Sequence, residues 1–231
     1  MKRILHLLFI LPAFTYGQEI RLGVAVQASS MFNEWERSLG ELTVTEPIKT
    51  GIDISIQGAY EYKTNLFLGY RFGYTLYSLD VGAIEEKLYP QDPSSVAMEY
   101  NPYQNINFMM GIGYRASILS GKVQFLPHFY GGLNSFKSPF LTATYPDQAG
   151  TANLQLIGDV KLGWILMPGI EIDIPLSNLL YLSLNVNSYI GNYDIEEEIK
   201  LNGYNQVKEY KLQQSYQLRT LNFGAGILVV L

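Results

Sequence analysis

Cysteine is absent from all 231 residues. Disulfides, thiolate nucleophiles and cysteine-ligated metal centres are therefore excluded, and an exported form of the chain must be held by its own packing or by its surroundings. Charge is sparse as well, at 16% of residues, with 16 Lys and Arg against 21 Asp and Glu and no basic run. Such an acidic balance argues against nucleic acid as a partner. Histidine occurs only at His6 and His128. Glycine-rich phosphate loops, zinc-ligand spacings and nucleophile elbows are all missing. Nowhere does the chain approach the roughly 18 consecutive apolar residues of a membrane helix, so residence in a bilayer would have to be by strands.

The start of the chain reads as an export signal. Met1, Lys2 and Arg3 form a basic head, Ile4 to Phe14 is apolar apart from His6 and Pro12, and Thr15-Tyr16-Gly17 ends in a small residue. This order predicts a cleaved signal peptide over residues 1–17 and a single mature domain over 18–231. A buried N-terminal helix is the other reading, and nothing later in the chain offers it a helical partner. Without Lys2 and Arg3 the mature chain keeps 14 basic residues against 21 acidic ones, a net charge of −7.

What the chain has in quantity is glycine, 21 residues, and tyrosine, 18 residues. It also has long stretches of period-two alternation, the signature of strands with one apolar and one polar face. The clearest is 51–79. Ile52, Ile54, Ile56, Tyr60 and Tyr62 alternate with Asp53, Ser55, Gln57, Glu61 and Lys63. After a short turn, Leu66, Leu68, Tyr70, Phe72, Tyr74 and Leu76 alternate with Phe67, Gly69, Arg71, Gly73, Thr75 and Tyr77. Strands are predicted over 20–29, in both halves of 51–79, and over 103–118, 122–134, 154–174, 180–190 and the last residues to 231. Pro168-Gly169 predicts a bulge or kink in the sixth. Connections alternate long and short, and Asn202-Gly203 predicts that the last long one extends its flanking strands into a projecting hairpin. Short turns on one side, long loops on the other and an even strand number describe an all-β, eight-stranded antiparallel up-and-down transmembrane β-barrel.

Alternation alone leaves the direction of the apolar face open, since a soluble lipocalin-like carrier also has eight strands around an apolar cavity. Three features favour apolar outward. The polar faces are rich in Gly and Ser, which suits a narrow interior. They carry both charge signs, as a closed lumen requires. Tyr60, Tyr62 and Tyr114 lie on the apolar face beside short turns, where an interfacial girdle belongs.

In this pattern the chain resembles the small eight-stranded outer-membrane barrels of the OmpA/OmpX-like type, especially those of Bacteroidota. The resemblance covers nearly all of the mature chain. It implies outer-membrane lipid as the surroundings, and a C-terminal strand read by the barrel-insertion machinery, here carried by Asn222, Gly224, Ile227, Val229 and Leu231. Strands of that type usually end in an aromatic residue, whereas this chain ends in Leu231.

Candidate chemistry is thin. His128 could serve as a general base in a lipid-modifying enzyme, but alternation turns it inward, away from lipid. Asp53, Glu61, Arg71, Arg115, Asp159, Lys161, Glu171 and Asp173 are predicted to form a luminal ion-pair network that plugs the barrel, arginine's fork being suited to carboxylates in a low-dielectric interior. The same charges could instead line a narrow pore. Glu196, Glu197 and Glu198 alternate in direction and complete no coordination set; a solvated loop edge is the expectation for them. The whole reads as a non-enzymatic barrel, without metal or cofactor, anchoring four external loops that meet a ligand, a protein or the lipid layer.

Overall fold

The computed structural model describes residues 19–32, 35–39, 42–46, 48–63, 65–119, 122–147, 150–203 and 206–231. The predicted signal peptide lies outside them. In chain order the strands are β1 (Ile20–Met31), β2 (Trp35–Leu39), β3 (Leu42–Glu46), β4 (Ile48–Lys63), β5 (Leu66–Leu79), β6 (Ala97–Tyr100), β7 (Tyr103–Tyr114) and β8 (Ala116–Ile118). They continue with β9 (Val123–Lys137), β10 (Leu141–Asp147), β11 (Gly150–Ile157), β12 (Val160–Pro175), β13 (Leu180–Asn187), β14 (Ile190–Gly203) and β15 (Gln206–Val230). A helix, α1 (Val81–Leu88), and a 3-10 turn at Pro93–Ser95 lie between β5 and β6.

Among the described residues, thirteen strands form one antiparallel sheet, and β2 and β3 form a hairpin of their own. Neighbours follow chain order from β1 through β4, β5 and β7 to β9. β9 also pairs with β12, β12 with β13, β13 with β15, and β15 with β1. Short turns join β4 to β5, β8 to β9 and β12 to β13. The start of β1 and the end of β15 lie side by side at that same turn end, with Arg21 opposite Val230. Asn65, in the first of these turns, has φ 76°, a left-handed conformation that asparagine tolerates better than most residues.

The period-two signal translates directly into burial. On β5, Leu66, Leu68, Tyr70 and Phe72 are exposed while Phe67, Gly69, Arg71, Gly73 and Thr75 are buried. Ile54 on β4 is 55% exposed and Ile112 on β7 is 62% exposed, so the aliphatic face points away from the molecule. A lipocalin-like carrier would have it the other way round. The inner face is graded along its length. Its turn end and middle mix buried charges and amides with Phe67, Met109, Leu126 and Tyr130, whereas its loop end is dominated by apolar residues that include Tyr77, Tyr103, Phe136, Leu154, Tyr193 and Tyr216. Ile84 of α1 and Val96 are buried among these.

Several expected boundaries move. The predicted strand over 154–174 is two strands. Gly158 brings the backbone so close to Ser138 and Pro139 that a Cβ there would lie 2.4 Å from the Ser138 carbonyl oxygen. The chain changes partners at this crossing. β11 pairs with β10 and with the outer part of β14, while β12 pairs with β9, with β13 and with the first residues of β14. Leu154 and Leu156 of β11 are buried.

No bulge interrupts the pairing at Pro168-Gly169. β12 stays paired through it, and the interruption falls on its partner, between β13 and β14. Ser188 N–H donates to the Pro168 carbonyl at 3.0 Å, but proline has no N–H to return the bond. Tyr189 N–H donates to Thr220 Oγ1 at 3.2 Å, which holds the interrupted segment in register. The predicted strand over 103–118 breaks at Arg115, whose N–H donates to the Asn65 carbonyl at 2.7 Å. Stretches expected as loops carry β6, the β10–β11 hairpin and α1. The projecting hairpin at the end of the chain does form, with β14 and β15 paired from Ile190 opposite Arg219 to Gly203 opposite Gln206.

Candidate functional site

Arg71 is the centre of the inner face. Strand β5 turns it inward between two glycines, Gly69 and Gly73, and it is 1% exposed. Its guanidinium donates to Asp53 Oδ1 at 2.5 Å, Gln27 Oε1 at 2.9 Å and Gln57 Oε1 at 3.4 Å. Asp53 is fully buried and accepts two further bonds on Oδ2, from Thr75 Oγ1 at 2.7 Å and Tyr189 Oη at 3.0 Å. An ion pair taken out of water needs such surrounding bonds to offset its desolvation.

The hub extends in both directions. Toward the loops, Asn187 Nδ2 donates to Gln27 Oε1 at 3.3 Å, Asn222 Nδ2 to Asn187 Oδ1 at 2.8 Å, and Ser29 Oγ to Asn222 Oδ1 at 2.5 Å, while the Tyr77 hydroxyl lies 3.1 Å from Ser29 Oγ, free to donate to it. Toward the turns, Gln57 Nε2 donates to Glu171 Oε2 at 3.1 Å. Arg21 pairs with Asp173 at 2.6 Å, donates to Gln124 and lies 5.5 Å from the centre of the Tyr181 ring. At the turn-end mouth Arg115 bridges Glu19 and Glu61, at 2.6 Å each. Partial burial pushes the Glu19 carboxyl up, but the Arg115 hydrogen bond and charge, with Arg21 behind, outweigh it and hold the group below its ordinary value of 4.5.

Six of the eight residues expected in the interior are thus drawn together, in three clusters built on Arg71, Arg21 and Arg115. Asp159 and Lys161 are not among them. They pair with each other at 3.0 Å, about one-third exposed, because the Gly158 crossing carries this stretch to the loop end. Glu171 meets Gln57. The sequence pattern does not single out Glu19, Arg21, Gln27, Ser29, Gln57, Asn187 or Tyr189 as members of these clusters. For Arg21, Gln27 and Gln57 the inner-face alternation is the available signal, while Glu19 precedes β1 and carries none.

His128 lies across from Gly169 of β12, its Nδ1 is 3.2 Å from the Leu126 carbonyl oxygen, and its ring stacks on Tyr130. Its Nε2 is buried with no hydrogen-bond partner, so no serine or carboxylate is joined to it there. Of the C-terminal residues, Asn222 is buried in the hub's loop-side extension and Gly224 is half-buried, whereas Ile227, Val229 and Leu231 are exposed on the outer face. Tyr114 is exposed beside its turn and Tyr60 is half-buried. The Tyr62 side chain lies outside what is described. Glu197 is buried on the inner side of β14 and Glu196 is exposed on the other, so the run is part of a strand rather than a loop edge. Among the described residues no group of three or more His, Asp or Glu side chains is arranged to hold a metal ion.

Arg21, Gln57, Tyr130 and Glu171 border a cavity of about 20 Å³, enough for one water molecule. A larger cleft of about 520 Å³ lies at the loop end, bordered by Asp159, Glu196, Glu198, Lys211 and Gln213 among others.

No protein-family model and no curated protein matches the chain. Solved structures do. A major outer membrane protein from Thermus thermophilus is similar with a TM-score of 0.50 at 15% identity, over 92% of this chain and 99% of that one. OprG from Pseudomonas aeruginosa is similar at 0.47 and 12% identity, over 92% and 95%. Outer membrane protein W from E. coli is similar at 0.40 and 14% identity, over 92% and 98%. The fold is that of outer-membrane β-barrel proteins. With its aliphatic face turned outward, where water would penalise it and acyl chains would not, the protein belongs in a bacterial outer membrane.

Proposed function

We propose that the protein is a non-enzymatic outer-membrane anchor. In this reading eight staves close into a barrel, their interior is plugged by side chains, and the structures at the loop end meet a surface ligand, a partner protein or the lipid layer. The pairings support closure. Counting β7 with β8 and β13 with β14 as single staves, the neighbours run β1, β4, β5, β7–β8, β9, β12, β13–β14, β15 and return to β1. The leader over 1–17, insertion through the C-terminal strand and an OmpA/OmpX-like character belong to the same proposal.

The observation that carries the plug is Arg71, buried at the centre and held at once by Asp53 and Gln57 of β4 and by Gln27 of β1. Asn187 of β13 and Tyr189 join its partners Gln27 and Asp53 from the facing side, so the network crosses the interior at this level and closes the aqueous path there. Planar-bilayer recording tests this: purified full-length protein is expected to give no stepwise conductance, and regular unitary steps would overturn the plugged reading. The outer-membrane lipid composition is expected to be the same with the wild type and with His128→Ala. A lipid change that only the wild type produces would overturn the non-enzymatic reading.

A further inference from the structure

Glu171 is an inner-face carboxyl that no guanidinium answers. Arg71 pairs with Asp53, Arg115 with Glu19 and Glu61, and Arg21 with Asp173 at 2.6 Å and Glu19 at 3.7 Å. Among the described residues Glu171 enters no ion pair, and it is the neutral Gln57 amide that donates to it, at 3.1 Å. Three guanidinium groups thus serve five carboxyls in this half of the interior.

Alternation puts Glu171 and Asp173 on the same inner side of β12, two residues apart. Their carboxyls are within hydrogen-bonding reach of each other. Glu171 borders the cavity of about 20 Å³, with Phe67, Leu126 and Leu228 on its apolar side.

The other groups packed around the pair bring no second positive charge to it. On β9, Leu126 lies opposite Glu171, and Gln124, opposite Asp173, accepts from Arg21. His128, the next inner residue of β9, has its Nδ1 at the Leu126 carbonyl oxygen, its ring on Tyr130, and an Nε2 that bonds to nothing. On β13, Asn185 lies opposite Glu171 with its Nδ2 unbonded. The Ser183 hydroxyl, opposite Asp173, lies beside both carboxyls but has one hydrogen to give and no charge. β15 places Gly224 and Gly226 next to these two residues, and Tyr181 faces the Arg21 guanidinium.

Two carboxyls in contact beside one guanidinium are not both ionised out of water; such a pair shares a proton. Asp173 keeps the negative charge, because it holds Arg21 at 2.6 Å. Its Oδ1 is buried and has no hydrogen-bond partner. A proton on Glu171 supplies the missing donor. We propose that Glu171 and Asp173 form a proton-binding site, in which Glu171 is protonated at neutral pH and donates to Asp173 Oδ1. A metal cation at the same place would meet the charge of Arg21, which borders the cavity. The inference rests on the closed interior proposed above, and bilayer recording tests that closure separately.

Carbon-13 NMR reads the protonation state, using full-length protein in lipid nanodiscs labelled at the Glu Cδ and Asp Cγ carbons. At pH 7 one glutamate carbon is expected at the shift of a protonated carboxyl. Glu171→Gln, whose amide can still donate to Asp173, is expected to remove that signal. In Asp173→Asn, Arg21 faces Glu171 alone, so the same carbon is expected at the ionised position. A folded wild type with every glutamate ionised at pH 7 would overturn the proposal. So would a protonated signal that survives Glu171→Gln or stays unmoved in Asp173→Asn. An ionised Glu171 whose resonance shifts when potassium chloride is exchanged for sodium chloride would put a metal cation in the proton's place and overturn it too. If Glu171→Gln does not fold, Glu197→Gln replaces it, Glu197 being another buried glutamate. The signal is then expected to remain, and its loss would overturn the assignment to Glu171.

Discussion

At the scale of single residues, the interior depends on pairing each guanidinium with a carboxylate. Asp53→Ala would leave Arg71 buried beside neutral amides only, and breaking a buried pair from one side costs about 3–5 kcal/mol. Urea unfolding in detergent should show a loss of that order, with part of it recovered in Asp53→Ala/Arg71→Met, where no charge is stranded. At the mouth, stability depends on pH. Because Glu19 is held below its ordinary value of 4.5, its bridge to Arg115 stabilises fully above pH 4.5 and is lost as pH falls through the lowered value. Unfolding measured from pH 7 to pH 3 should therefore show an acid loss that Glu19→Gln lacks, and identical profiles for the two proteins would disprove it. The period-two pattern located Arg71 and Asp53 on inner faces. It could not show that Gln27 and Tyr189, from distant parts of the chain, complete their shell.

At the scale of elements, the outward direction of each strand face is the testable quantity. Ile54 is exposed toward lipid on β4, and an arginine there costs about 2–4 kcal/mol near the bilayer midplane. Ile54→Arg should reduce the amount of folded protein recovered from the outer membrane, while Ile54→Val should not; normal assembly of the arginine variant would reverse the assignment of faces. Strand ends were less legible than strand faces. The crossing at Gly158 depends on the backbone of Ser138 and Pro139, far back along the chain, and the break between β13 and β14 depends on the missing N–H of Pro168 on a neighbouring strand. Neither cause lies within the segment it shapes.

At the scale of the whole molecule, the loop-end hairpin is separable from the wall. Beyond Asp194 and Ser215, β14 and β15 pair chiefly with each other and with β11. Replacing residues 198–211 by a short turn should leave heat-modifiable mobility intact, because the pairings that join β12, β13, β15 and β1 are untouched. Loss of the mobility shift would mean that the hairpin is needed for assembly.

The alternation of apolar and polar residues by itself determined that the chain is antiparallel β-structure with an aliphatic face, since side-chain direction in a strand is a local property of the backbone. That β11 leaves the line of β12 to pair with β10 was decided only in three dimensions. So were the sites where a strand breaks and the set of buried charges that meet. Those outcomes depend on close approaches, such as Gly158 against Ser138 or Arg21 against Asp173, between residues in different parts of the chain.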